Sequence, residues 1–408
     1  MNETAIYVLT ALFLCHAVED LADVLNLRAL RAQPPTELAH LVDDERYARS
    51  QDYVRAKTNF ALLSRGFDLV VLLGFWFAGG FGWWDETVRG LGFGPVLTGL
   101  GFLGGLLFGR SVLGLPFAWY HTFVLEERFG FNRTDAKTFW GDRIKGLLLG
   151  TLLGAPLLAA ILWFFEASGE RAWLYCWGIV TAFTIALQFV APTWIFPLFN
   201  RFEPLEEGEL RDELLGYAHK VGFPLQDVYV IDGSRRSSKA NAFFTGFGRN
   251  KRVALFDTLI EKHAPSELVA IVAHEIGHFK RGHIVKGLAL GILQTGVVFF
   301  LLSLILESAS VFEAFGTQPS TWVGLVVFGL LYAPVDLVLS AAMQAFSRKN
   351  EYEADAYARE TTGSPEALVQ ALEGLSSDHL DNLTPHPFYV ALHHSHPPLL
   401  RRVQALRA

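Results

Sequence analysis

The sequence predicts a mostly helical, polytopic membrane protein that carries a small α+β lobe. Three observations carry that expectation. Of the 408 residues 51% are hydrophobic and only 18% are charged, where an ordinary soluble domain holds about a quarter charged residues. Apolar runs of roughly twenty residues, the length that crosses a bilayer as a helix, recur along the chain. Two polar segments, 200–283 and 347–408, interrupt that pattern.

Six or seven candidate spans can be read in order, at 5–25, 62–84, 93–119, 147–165, 173–199, 284–306 and 322–346. Glu19, Asp20 and Asp23 interrupt the first. It is no cleaved leader, because no basic residue precedes it and acids follow it. Orientation comes from Lys and Arg in the links. The links 85–92, 166–171 and 307–321 hold only Arg89 and Arg171, whereas the alternate links hold Arg28, Arg31, Arg46, Arg49, Arg55, Lys57, Arg128, Arg133, Lys137, Arg143 and Lys145. Seven spans with the N-terminus outside and the C-terminus in the cytoplasm follow. Asp68, Arg110 and Asp336 fall inside spans; a lipid-facing charge is costly, so they should face a wet interior or one another. The net charge of −7 gives no reason to expect nucleic acid. Cys15 and Cys176 both fall in spans, which leaves neither a disulfide framework nor a Cys-based metal site.

The four segments expected are 1–199 with five spans, 200–283 as the first part of the lobe, 284–346 with two spans, and 347–408 as its second part. In the lobe, LFNRFEPLEEGELRDELLGYAHKVGFP (198–224) reads as an amphipathic helix with Pro224 beyond its end. DVYVID and KRVALF read as strands, and ANAFFTG as an alternating strand before the turn GFGRN.

Chemistry enters at VAHEIGHFK, 272–280. His274 and His278 lie at i and i+4, about 40° apart around a helix, so both imidazoles leave one face. This is the two-ligand geometry of a zinc helix, with Glu275 beside them to take a proton from metal-bound water. His283 lies about 140° from His278 on a continuous helix, so a third ligand must come from elsewhere. KNEYEADAYA supplies Glu351 and Asp355, again at i and i+4; one carboxylate can bind the metal while the other holds a ligand histidine. Glu353 points away from that pair, towards solvent. The ligands precede the apolar part of the sixth span, whereas transport sites sit near mid-membrane, and a metal-binding scaffold would have no use for Glu275.

The chain resembles the type I CAAX prenyl proteases, integral-membrane zinc endopeptidases. The resemblance runs through RSQDYVRAK (49–57), FVLEERFGFNRT (123–134), IFPLFNRFEPLEEGELR (195–211), IDGSRRSSKANAFFTGF (231–247), KRVALFDTL (251–259), HEIGH (274–278), EYEADAYA (351–358) and SHPPLLRR (395–402). It implies seven helices around a chamber, one zinc per chain on His274, His278 and Glu351, and Asp355 as the partner of a ligand histidine. It also implies that His396 stabilises the tetrahedral intermediate, that Arg402 lies near the ligand carboxylates, and that Asn241, Ala242, Phe243 and Phe244 form an edge to which an extended substrate adds as a strand. The eukaryotic members tend to have SNAY where this chain has ANAF. His379, His386, His393 and His394 read as a solvated loop.

The expected function is hydrolysis near the C-terminus of membrane-associated CAAX-type proteins, with or without a prenyl group; a general membrane quality-control protease is the alternative. The expected partners are a protein substrate and membrane lipid, with the chain acting as a monomer. Richness in Ala, Leu, Gly and Arg favours a bacterial inner membrane over the endoplasmic reticulum, with the site on the cytoplasmic side.

Overall fold

The computed structural model describes residues 2–245 and 251–408, so the expected GFGRN turn at 246–250 lies outside the described residues. Among the described residues, seven helices are long and apolar enough to cross a membrane: Glu3–Arg28, Asp44–Phe77, Pro95–Glu126, Ala136–Ala167, Gly169–Phe199, His283–Leu306 and Thr321–Thr362. Their starts follow from local chemistry. Asn2, Asp43 and Asp135 cap the first, second and fourth, accepting from the backbone N–H of Ala5, Arg46 and Thr138.

Two expectations are corrected. The run 62–84 is not one span, because Gly79 adopts a left-handed conformation (φ 76°) and starts a separate helix, Gly80–Arg89. Conversely, the boundary at 346/347 falls inside a single helix of 42 residues. No Gly or Pro occurs between Pro334 and Gly363, so nothing stops the last span before Gly363 (φ 74°) ends it.

Each span packs on its neighbour in chain order, with the Gly80–Arg89 helix bridging the second and third, and the seventh packs back on the first. The contacts close a ring. At most 28% of any span's apolar window is buried, whereas a solid bundle would cover one face of every helix. Both inner and outer faces therefore stay accessible, as in the wall of a chamber. Trp76, Phe81, Phe102, Leu162, Phe315 and Trp322 close one end with an apolar plug. Of the charged residues expected inside spans, Asp68 and Arg110 lie 3.6 Å apart, whereas Asp336 is exposed and has no ion pair among the described residues. Arg65 pairs with Glu19, Asp20 and Asp23, the acids that interrupt the first apolar run. Arg65, Asp68 and Asp23 line an open cavity of about 520 Å³ together with Tyr389 and His393 of the C-terminal segment.

The lobe closes the other end. Leu214, Val228, Leu255, Ile276, Leu368 and Val403 share one core, drawn from segments on both sides of the sixth and seventh spans. Its sheet runs β1-β2-β4-β3, with β1 Phe202–Pro204, β2 Leu225–Ile231, β3 Ala242–Thr245 and β4 Lys251–Phe256. β2 and β4 are parallel; β1 and β3 pair antiparallel to them. β3 is thus an edge strand with one side unpaired.

Candidate metal centre

The helix Pro265–Lys280 opens with Pro at its first turn and Glu267 beside it. Leu268, Val272 and Ile276 anchor it in the lobe core. It crosses the Thr321–Thr362 helix at Gly277, where an added Cβ would lie 3.1 Å from both Ala354 Cα and the Ala354 carbonyl oxygen. That close crossing brings Glu351 between the two histidines. His274 Nε2 lies 3.4 Å from Glu351 Oε2, His278 Nε2 lies 3.2 Å from Glu351 Oε1, and the two Nε2 atoms are 3.1 Å apart. One donor atom from each of the three residues lies within 4.8 Å of the others.

Behind His274 stands a carboxylate–guanidinium pair. Its Nδ1 is 2.8 Å from Asp355 Oδ1, and Arg402 donates twice to Asp355, from Nε to Oδ2 at 2.8 Å and from Nη2 to Oδ1 at 2.6 Å. Arg402 Nη2 also lies 3.6 Å from Glu351 Oε2. All four residues are buried. Burial alone would depress the pKa of His274, but the neighbouring carboxylates of Asp355 and Glu351 outweigh it and raise it to about 9. The surroundings therefore favour positive charge at this ring. Glu351 Oε2 is buried with no hydrogen-bond partner. A cation on His274, His278 and Glu351 would meet both conditions, so these residues fit a metal.

Behind His278 the sequence reading is corrected. Gly282 (φ 70°) breaks the chain direction, so His283 opens a new helix and the 140° offset of a continuous helix does not apply. His283 Nδ1 lies 3.0 Å from His278 Nδ1, and its Nε2 lies 3.1 Å from Glu353 Oε2. Glu353, still partly exposed, is accordingly also a partner of His283. The loop reading of the late histidines is also corrected. His379 Nε2 accepts the Ala240 N–H at 3.0 Å, His386 Nδ1 accepts the Phe388 N–H at 3.2 Å, and His393 Nε2 lies 3.4 Å from Glu19. Arg348 bonds the His394 carbonyl at 2.7 Å.

Glu275, His274, His396, Arg402, Asn241 and Ala242 line one cavity of about 520 Å³. Burial raises the Glu275 carboxyl above the usual carboxylate range, against the opposing pull of His274 and His278, which suits a base working near neutrality. His396 Nε2 lies 3.4 Å from Glu351 Oε1 with most of its side chain open to the cavity. Phe243 and Phe244 instead line an adjoining apolar groove of about 720 Å³. The backbone of Asn241 accepts from Phe256 N at 3.0 Å, holding the start of β3 in place.

Residues 23–201 match the family described as CAAX prenyl protease N-terminal, five membrane helices, and residues 204–408 match peptidase family M48. The chain belongs to the CAAX prenyl proteases of peptidase family M48. It is 35% identical to a rice CAAX prenyl protease 1 homolog, over 98% of this chain and 96% of the relative (Oryza sativa subsp. japonica). It is 34% identical to CAAX prenyl protease 1 of Saccharomyces cerevisiae, over 91% and 88%. The crystal structure of S. mikatae Ste24p superposes with a TM-score of 0.95 at 32% identity, over 100% of both chains. Like that family, this protein is a multi-pass membrane metallopeptidase.

Proposed function

We propose that this protein is a zinc-dependent endopeptidase that cuts CAAX-type membrane-associated proteins near their C-termini, from the cytoplasmic side. The observation that carries the reading is the His274–His278–Glu351 cluster beside Glu275, opening into a cavity that borders the free edge of β3. An N₂O donor set suits zinc. Zinc held there would supply Lewis-acid chemistry and lower the pKa of a bound water towards ~7.

The chain's own residues carry the remaining roles. Asp355 accepts from Nδ1–H of His274 and so leaves Nε2 free as a ligand atom; Arg402 holds Asp355 in that pose. Glu275 accepts the proton of the attacking water and delivers it to the leaving amine. His396 donates to the oxygen on which negative charge develops. The β3 edge aligns the peptide by main-chain hydrogen bonds, and the apolar groove at Phe243 and Phe244 takes up lipid carried on the substrate. Every residue in this scheme comes from one chain, so a monomer suffices.

The test is cleavage of matched C-terminal peptides, farnesylated and bare, by purified protein in detergent. Cutting near the C-terminus of both, with a lower KM for the farnesylated one, is expected. Indiscriminate cutting of internal sequences in unrelated membrane proteins would favour a quality-control protease instead.

A further inference from the structure

Building on the proposed peptidase reading, we infer that Lys57 is the binding site for the C-terminal carboxylate of the peptide lying on β3. The cavity that holds His274, Glu275 and His396 also reaches Tyr53 and Lys57 on the second span. Two ammonium groups flank the Tyr53 ring: Lys57 Nζ at 5.2 Å from its centroid and Lys239 Nζ at 5.0 Å. They differ in what they have left to offer. Lys239 donates to Tyr53 Oη at 2.7 Å and to Glu126 Oε2 at 3.0 Å. Tyr53 Oη donates to Glu126 Oε1 at 2.6 Å, so both carboxylate oxygens are engaged.

Lys57 has no hydrogen bond and no ion pair among the described residues, and its side chain is open to the interior space. An ammonium carries three donors; with none of them used inside the protein and its side chain facing the cavity, it is available to an anion. His379 cannot serve instead: burial, and then Lys239, lower its pKa to about 4, and its Nε2 already accepts from Ala240. Asp381 faces the same cavity, and the protein around it raises its pKa to about 6. It makes no ion pair with Lys57.

Strand polarity then places the substrate. β3 runs from Ala242 to Thr245, and the lead-in at Lys239 lies at its N-terminal end, against Tyr53. A peptide adding antiparallel to the free edge directs its C-terminus to that cationic end. Its N-terminal side, which continues into the rest of the protein, runs the opposite way along β3. The reverse direction would run the bulk of the substrate past Lys57 towards the second span. A tail of two or three extended residues spans roughly 7–10 Å. A carboxylate fixed on Lys57 would therefore act as a ruler, setting the distance from the chain end to the cut.

The experiment compares one peptide as free acid and as C-terminal amide, on the parent and on Lys57→Met and Lys57→Arg. The parent should show a KM roughly tenfold higher for the amide, the effect of losing one charge-assisted hydrogen bond, with kcat little changed. In Lys57→Met the acid/amide ratio should fall to about one because KM for the acid rises, whereas Lys57→Arg should retain the preference. Turnover of the amide reports that the variant is folded. A parent indifferent to the amide, or a Lys57→Met protein that keeps the preference, overturns the assignment while leaving the hydrolytic reading intact. A parent that cuts neither peptide overturns the hydrolytic reading and this inference with it.

Discussion

Gly277 is where the two ligand-bearing helices touch, and Gly277→Ala is the mildest perturbation that should separate them. An added Cβ would meet Ala354 Cα at 3.1 Å, the Ala354 carbonyl oxygen at 3.1 Å and Tyr357 Cβ at 3.2 Å. Two of these are backbone atoms and cannot swing aside, so the helices must part by a few tenths of an ångström. Overpacking of this size costs about 1–3 kcal/mol, while replacing Gly by Ala in a helix returns about 1 kcal/mol. Net stability should therefore fall by no more than about 2 kcal/mol. The site is less tolerant, because metal–ligand distances hold within about 0.2 Å. Glu351 rides on the displaced helix, so zinc affinity should drop at least tenfold, by analogy with losing an orienting contact. Gly216, with nothing within 4 Å of its would-be Cβ, is the control: Gly216→Ala should stabilise by about 0.4–1 kcal/mol and leave zinc alone. Chelator competition and thermal unfolding in detergent measure both. A Gly277→Ala protein that binds zinc as tightly as the parent would refute the idea that this crossing sets the ligand geometry.

His396→Ala should lower kcat by roughly 10²-fold, as loss of an oxyanion donor does, with zinc content and KM little changed; parental turnover would return His396 to the loop. His283→Leu should speed zinc release by about 10–100-fold, because His278 loses the ring that faces its Nδ1, and unchanged release kinetics would remove His283 from the site. For topology, an impermeant thiol reagent applied to intact cells should label Gln318→Cys but not Glu206→Cys, both exposed positions; the reverse pattern would invert the protein.

The regular parts of this architecture were legible because they obey a period. Seven apolar runs announce seven helices, and the i, i+4 spacing puts His274 beside His278 and Glu351 on the same face as Asp355 wherever the helix is continuous. The limits were set by breaks in that continuity. Gly79 and Gly282 redirect the chain, so the second apolar run reads as longer than the helix it forms and His283 lies on a face that a continuous helix would not give it. At 346/347 the composition turns from apolar to polar within one unbroken helix, which carries the last span directly into the lobe. Pairings between distant segments were beyond reach. Glu353 reads as a solvated acid until His283 is placed against it. Lys57 reads as one more cytoplasmic lysine until Lys239 and Glu126 are seen to satisfy each other and leave it free.

The most direct test of the metallopeptidase account is Glu275→Gln, assayed for zinc content and peptide hydrolysis together. Glu275 lies outside the His274–His278–Glu351 donor cluster and inside the catalytic cavity. Elemental analysis should return one zinc per chain, as in the parent, while hydrolysis is abolished for want of a base. A variant that lost its zinc would move Glu275 into the ligand set, and one that kept its activity would show that the proton is taken elsewhere; either result contradicts the mechanism.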